Sequence, residues 1–414
     1  MFDIVDKSTQ INMTEFILTA SNHSNIPNFN DLPWQYPFSE WSQHTSRLEE
    51  VQHGISRHPV LFINYDGVLY VIKELPAGQA QKEYKLLSSI MEHNLPCVKP
   101  VGYTTLQRDS NNFSFLITRY LESSIPYRSL LIGNSINQFQ TYLLDAISGL
   151  LVQLHSNGFF WGDCSLSNIL FRRDAGALQA YLVDAETAEY HSPRLSPMLR
   201  FHELEIMQNN LTFEVTQLQK DELLSVNYPA QEIGPYIQQR YRELWEEITR
   251  EITIKQDELY HIQERIRSIN SLGFSVKDIE IKPQDHANVL KLRIFVSDRS
   301  YHRNQLLEIT GLDAEDKQAQ VIINEINELK VKCNQSGNPN MSMEAVAYYW
   351  LEHVYKPVLD QLKPILTDST NQKNNMGPIE LYCQILEHKW YLSERAQHDV
   401  GHQAAVEDFI KQFG

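Results

Sequence analysis

Cysteine is scarce in this chain. There are four among 414 residues, Cys97, Cys164, Cys333 and Cys383, far apart and in no C-x-x-C pair. That spacing excludes a disulfide framework and a structural zinc site, and it fits a reducing cytoplasm. Long apolar runs are also absent. No stretch approaches the roughly 18 consecutive apolar residues of a membrane span, so no transmembrane segment is expected. The opening residues, MFDIVDKSTQINMTEF, lack a basic segment followed by an apolar one, which argues against a signal peptide. Positive charge is in deficit. The formal net charge is −16 at pH 7, and Asp and Glu exceed Lys and Arg by 5 over residues 1–200 and by 11 over the rest. Such a chain is not a generic binder of nucleic acid or of an anionic membrane. Its acidic C-terminal half suits a cationic or neutral protein partner. What is present is ordinary for a folded protein, with 42% hydrophobic and 21% charged residues. The length calls for two or three structural units.

Residues 1–45 are polar and rich in Asn, Ser and Pro, and read as an extended arm pinned by Trp34, Tyr36, Phe38 and Trp41. Val60–Tyr65 and Val68–Lys73 read as strands joined by Asp66-Gly67, the strongest short hairpin signal. A helix over about 79–92 and two further strands, around 100–106 and 113–121, complete a small α+β lobe over 46–122. A buried helix over 136–157, stopped by Gly158, opens a second lobe over 123–215. Short strands at 169–171 and 181–183 flank the turn RRDAGALQ. Tyr236–Leu272 reads as one long helix with an interrupted apolar stripe, packed on its own domain rather than in a coiled coil. A strand over 290–296 pairs with 274–281. Helices at 302–310 and 313–332 follow, with Gly311 capping the first and Asp313 the second. This gives an α/β helical extension over 216–333. After the linker NQSGNPNMS, helices at 343–366 and 379–412 form the C-terminal part, 343–414.

The chemistry concentrates in LHSNGFFWGDCSLSNILF, residues 154–171, followed by YLVDAE, residues 181–186. Asp163 and Asn168 stand five positions apart on a loop after a long helix, and a hydrophobic strand then delivers Asp184. This order resembles the catalytic segment of the protein-kinase-like fold. Phosphoryl transfer needs Mg²⁺ to neutralise phosphate charge and a carboxylate to orient the attacking hydroxyl. Magnesium is a hard cation that takes oxygen ligands. Asn168 and Asp184 would hold it, with Glu186 as a third ligand, and Asp163 would accept the proton of the acceptor hydroxyl. Lys73 stands on its strand like the lysine that pairs nucleotide phosphates. Glu83, flanked by Leu86, Leu87 and Ile90 at helical spacing, is the candidate ion-pair partner of Lys73, preferred over Glu92. The run Phe115–Leu121 enters where a kinase places its adenine-contacting hinge, so Glu122 at its end is assigned to the nucleotide. The combination points to an α+β, two-lobed protein-kinase-like fold with a β-rich N-lobe, a helical C-lobe and a mainly helical C-terminal extension containing a short β-hairpin. ATP and Mg²⁺ are the cofactors, and a hydroxyl compound is the unidentified acceptor.

Three strings, GISRHPV, GDCSLSNILFRRDAGALQAYLVDAET and HKWYLSERAQHDVGHQAAVEDF, resemble the bacterial family catalogued as domain of unknown function 4032. The front half of that family is similar to the lipopolysaccharide (Kdo/heptose) kinase branch of the kinase fold. The resemblance runs from about residue 46 to the end. It implies fold and site, not substrate. There are departures. No G-x-G-x-x-G is present; only Gly54 stands in the loop before the first strand, where Arg57 or His58 would add positive charge near the phosphates. Trp161 occupies the position where related small-molecule kinases often carry His. Ala185-Glu186 follows the metal Asp in place of Phe-Gly, and no A-P-E segment is visible. These departures also fit a nucleotide-binding pseudokinase scaffold or an adenylyl-transferring homologue.

Other groups weigh less. Glu394, His398 and His402 have the spacing of a metal-binding helix face but lack a further ligand. Cys164 reads as a core residue. Arg172 and Arg173 read as solvated turn residues. Arg293, Arg299 and Arg303 are candidates for an acidic or phosphorylated substrate if the second domain faces the cleft.

Overall fold

The Asp66-Gly67 hairpin forms as its residue types demand, with both residues at positive φ, 53° and 85°. The computed structural model describes residues 16–17, 26–51, 57–108, 111–132, 136–192, 194–255, 260–283, 289–296, 300–335, 341–367 and 376–413. The turn joins β3 (Val60–Tyr65) and β4 (Val68–Pro76) in an antiparallel sheet of six strands. The others are β1 (Phe16–Ile17), β2 (Leu48–Glu49), β5 (Pro100–Arg108) and β6 (Asn111–Arg119), in the order β1-β5-β6-β4-β3-β2. Alternation along β6 sorts the two faces. Phe115 and Ile117 enter a cluster with Phe29, Trp34 and Trp41, so the arm and its short helix α1 (Trp41–His44) cover one face with a core of their own. Leu116 points to the other face, against α2 (Gln79–Glu92).

The second lobe is built on α4 (Ile136–Ser156), preceded by β7 (Ile125–Pro126) and α3 (Tyr127–Leu131). The hairpin β9 (Ile169–Asp174) and β10 (Ala177–Leu182) pairs with β7, while β8 (Phe159–Phe160) pairs with β11 (Glu189–Tyr190). Gly158, at φ 84°, ends α4 where a Cβ would run into the His191 carbonyl. Next come α5 (Pro197–Lys220), capped by the Ser196 side chain on Leu199 N, and α6 (Ala230–Thr249).

Here the structure departs from the expected helix over 236–272. The alternating β-branched run Ile252-Thr253-Ile254 forms β12 (Ile252–Lys255) instead. It pairs with β14 (Val289–Val296), which also pairs with β13 (Val276–Pro283); α7 (Tyr260–Ser271) lies between. The rear is helical: α8 (Tyr301–Thr310), α9 (Asp316–Gln335), α10 (Met343–Trp350), a π-helical turn at Leu351–Tyr355, α11 (Lys356–Thr367), α12 (Pro378–Ala396) and α13 (Gly401–Phe413). Gly311 caps α8 at φ 75° as expected, but Asp313 does not cap α9; it pairs with Arg303. The terminal helix breaks at Gln397, which takes φ 58°, because Ser393 and Asp399 side chains capture the amides of Val400 and Gly401. His398 and His402 therefore do not share a helix face.

Buried apolar side chains form one cluster from Leu75 to Val296 and another from Leu306 to Phe409. The cores part near residue 300, not at 215 or at the linker around 334–342. The β9–β10 hairpin joins them. Its residues are not solvated as expected: Arg172 pairs with Glu315 at 3.0 Å, and Ala175 N donates to Glu380 Oε2 at 2.9 Å. In the rear core, Glu325 accepts from His402 Nε2 at 2.6 Å, Tyr382 OH at 2.7 Å and Trp350 Nε1 at 2.8 Å. Burial opposes that charge, but the three donors outweigh it and hold the carboxyl below the usual range. The stabilisation is present above the ordinary carboxylate pKa and lost as pH falls through the lowered one. Glu325→Gln is expected to flatten the acid limb of a stability-against-pH profile measured by urea denaturation. An unchanged acid limb would show that this network contributes nothing.

Candidate active site

Lys73 lies opposite Leu116 in the β4–β6 register, so both side chains share the face that meets α2. On α2 the buried residues are Ala80, Glu83, Leu87 and Ile90, a helical stripe that turns Glu83 towards the same face. Lys73 Nζ is 3.1 Å from Glu83 Oε2 and 2.7 Å from Asp184 Oδ2. Glu83 is 1% exposed, and its Oε1 also accepts from Ala185 N at 3.3 Å. Burial and the Asp184 charge push the Glu83 carboxyl up to about 7 against the pull of Lys73. Burial also works against the Lys73 ammonium, but its two carboxylate partners outweigh it and keep its pKa above the usual lysine value.

The segment after α4 brings Asp163, Asn168 and Asp184 to the same cleft. Asn168 Nδ2 donates to the Asp163 carbonyl at 3.0 Å and to Asp163 Oδ2 at 3.2 Å, which leaves the amide oxygen for another partner. Trp161 is buried and donates through Nε1 to the Asp184 carbonyl at 2.7 Å. It ties the Asp163 loop to the Asp184 loop directly. Glu186 N donates to Asp184 Oδ1 at 3.0 Å.

Three residues of α5 that the motif reading did not single out hold this loop. Glu203, Asn210 and Glu214 recur at intervals of seven and four, on one helix face. Fully buried Glu203 accepts from Trp161 N at 2.9 Å, Gly162 N at 2.7 Å and His155 Nε2 at 3.0 Å. Glu214 accepts from Leu166 N at 2.6 Å and Ser167 N at 3.1 Å. Asn210 Nδ2 donates to Asp163 Oδ1 at 3.1 Å and to the Cys164 carbonyl at 3.2 Å. The sequence signal was there: an acid in the same helical stripe as Met207 and Leu211 requires buried donors.

Basic side chains of the first lobe face the cleft. Exposed Arg57 places Nη2 2.7 Å from Asp163 Oδ2, His58 Nε2 is 3.2 Å from Glu186 Oε2, and Lys82 Nζ donates to the Glu186 carbonyl at 3.2 Å. Gly54 lies outside the described residues, as does Arg299. Glu122 is not beside Lys73; it is largely exposed and pairs with Arg119 at 3.3 Å. Arg293 and Arg303 pair with Glu251 and Asp313 and do not reach the cleft groups. Cys164 is buried, and burial pushes its thiol well above the usual value, so it is no nucleophile. Among the described residues no three His, Cys, Asp or Glu side chains form a metal cluster alone.

Glu203→Ala strands two backbone amides and the His155 ring in the core. The expected cost is about 3 kcal/mol in urea denaturation, with faster amide exchange at Trp161 and Gly162. Unchanged stability and exchange would remove Glu203 from this role.

Comparison with known proteins breaks the chain between residues 227 and 243, ahead of the point near residue 300 where its cores part. No curated protein matches the sequence. A solved structure described as "WaaP in complex with acyl carrier protein" is similar at 14% identity with a TM-score of 0.34, over 55% of this chain and 88% of that one. GISRHPV precedes both of the family matches that follow. Residues 67–227 match the lipopolysaccharide kinase (Kdo/WaaP) family, and residues 243–413 match the domain of unknown function DUF4032.

Proposed function

We propose that the chain is an ATP- and Mg²⁺-dependent phosphotransferase that acts on a hydroxyl acceptor, whether sugar, glycan, metabolite or protein. The observation that carries this reading is the Lys73 ammonium shared by Glu83 and Asp184, beside the Asp163–Asn168 pair. Lys73, kept in place by Glu83, would bind nucleotide phosphates. The donor set suits magnesium: the amide oxygen of Asn168 and the carboxylates of Asp184 and Glu186 are hard oxygen ligands with no competing thiolate or imidazole among them. Magnesium would neutralise phosphate charge there. Asp163, aligned by Asn168 and Asn210, takes the proton of the acceptor hydroxyl. The acceptor oxygen then bonds to the γ-phosphorus as the bond to the ADP oxygen breaks.

The Arg57–Asp163 contact favours a second reading. With the base covered, the chain would be a nucleotide-binding pseudokinase scaffold. Under the first reading Arg57 leaves Asp163 for the phosphates when nucleotide enters.

ADP release from ATP by purified protein separates the two. Asp163→Asn is expected to lower the rate by about 10²- to 10⁴-fold, the usual contribution of a positioned general base. Asp184→Ala is expected to abolish it. Equal background rates in the wild type and both variants would refute the phosphotransferase.

A further inference from the structure

A cavity of about 630 Å³ opens elsewhere, and none of Lys73, Asp163, Asn168, Asp184 or Glu186 lines it. Its walls come from the loop after α2, the end of β6, the β9–β10 hairpin and the α8–α9 corner. The volume is in the range of roughly 300–1,000 Å³ that takes a small metabolite.

Four cations reach its walls: Lys99, Arg119, Arg172 and Arg303. Arg119 N donates to the Lys99 carbonyl at 2.8 Å, so these two are neighbours on one side. Arg172 and Arg303 come from the other side, where Tyr181 and Arg172 both hold Glu315. Each guanidinium has a carboxylate: Glu122 at 3.3 Å from Arg119, Glu315 at 3.0 Å from Arg172 and Asp313 at 2.6 Å from Arg303. The fourth wall acid, Asp316, is engaged by the amides of His302 and Arg303 and by the His302 ring. Lys99 is the exception. It is half-buried, and its ammonium has no partner among the described residues. Its three N–H donors are therefore free to take an anion in the cavity. Leu95 and Leu307 add apolar surface, while the acids of the wall repel a long polyanion.

We propose that this cavity is a second ligand site, which takes a small organic anion anchored on Lys99 and bordered by Arg119, Arg172 and Arg303. It does not rest on the phosphotransfer reading, although the cavity shares Glu122, which the sequence assigned to the nucleotide. A guanidinium shared with a carboxylate still has free N–H donors for a second anion.

Citrate and malate serve as probes, each titrated calorimetrically into the full chain. The wild type is expected to bind at least one of them saturably at one site. Lys99→Gln is expected to weaken that binding tenfold or more, as is Arg119→Gln at an exposed position. Lys73→Met is expected to leave it unchanged. Melting temperatures close to wild type show that the cavity variants fold. The absence of saturable binding, or binding lost with Lys73→Met and kept with Lys99→Gln, would overturn the proposal.

Discussion

The Lys73 ammonium reaches two carboxylates that belong to different lobes. Glu83 comes from the helix of the β-rich lobe, Asp184 from the loop that follows β10. A nearly buried charge cannot be left unpaired, so the three groups constrain one another. The β4–β6 register fixes which way Lys73 points, and the helical stripe of α2 fixes Glu83. The loop bearing Asp184 is then drawn to the same point, and Ala185 N adds a bond to Glu83. The two lobes meet at this ammonium, where the proposed function puts the nucleotide phosphates.

The loop with Asp163 obeys a different constraint. It is irregular backbone crossing a protein interior, and its amides need acceptors. Helix α5 supplies them from one face: Glu203 under Trp161 and Gly162, Glu214 under Leu166 and Ser167. Trp161 makes the link that a polar residue would otherwise make, because its indole nitrogen reaches the Asp184 carbonyl. The cleft is thus preorganised from below by buried acids and faced from above by Arg57 and His58, whose partners are the groups assigned to catalysis and metal.

Much of this was legible in the sequence. Asp66-Gly67 specified a turn because few residue pairs tolerate positive φ twice. Lys73, Glu83, Asp163, Asn168 and Asp184 stood out by order and spacing, and the structure brings them together. Other features depended on contacts between distant segments. Ile252–Lys255 lies in a helix-like stripe, but β14 is available to pair with it, and β-branched side chains then favour the strand. The break at Gln397 comes from side chains that capture backbone amides, which periodicity cannot register. Arg172 looked like a turn charge until the rear domain supplied Glu315. The α5 acids belonged to an apolar stripe, and their meaning came only from the loop they support.

If the Lys73–Glu83–Asp184 cluster is a nucleotide-phosphate site, ATP binding must depend on both magnesium and Asp184. Calorimetric titration of ATP into the wild type and Asp184→Asn, with and without Mg²⁺, is the direct measurement. Saturable one-site binding that requires the metal and is lost in the variant is the predicted result. Absence of binding to the wild type, or binding indifferent to both magnesium and Asp184, would contradict the account.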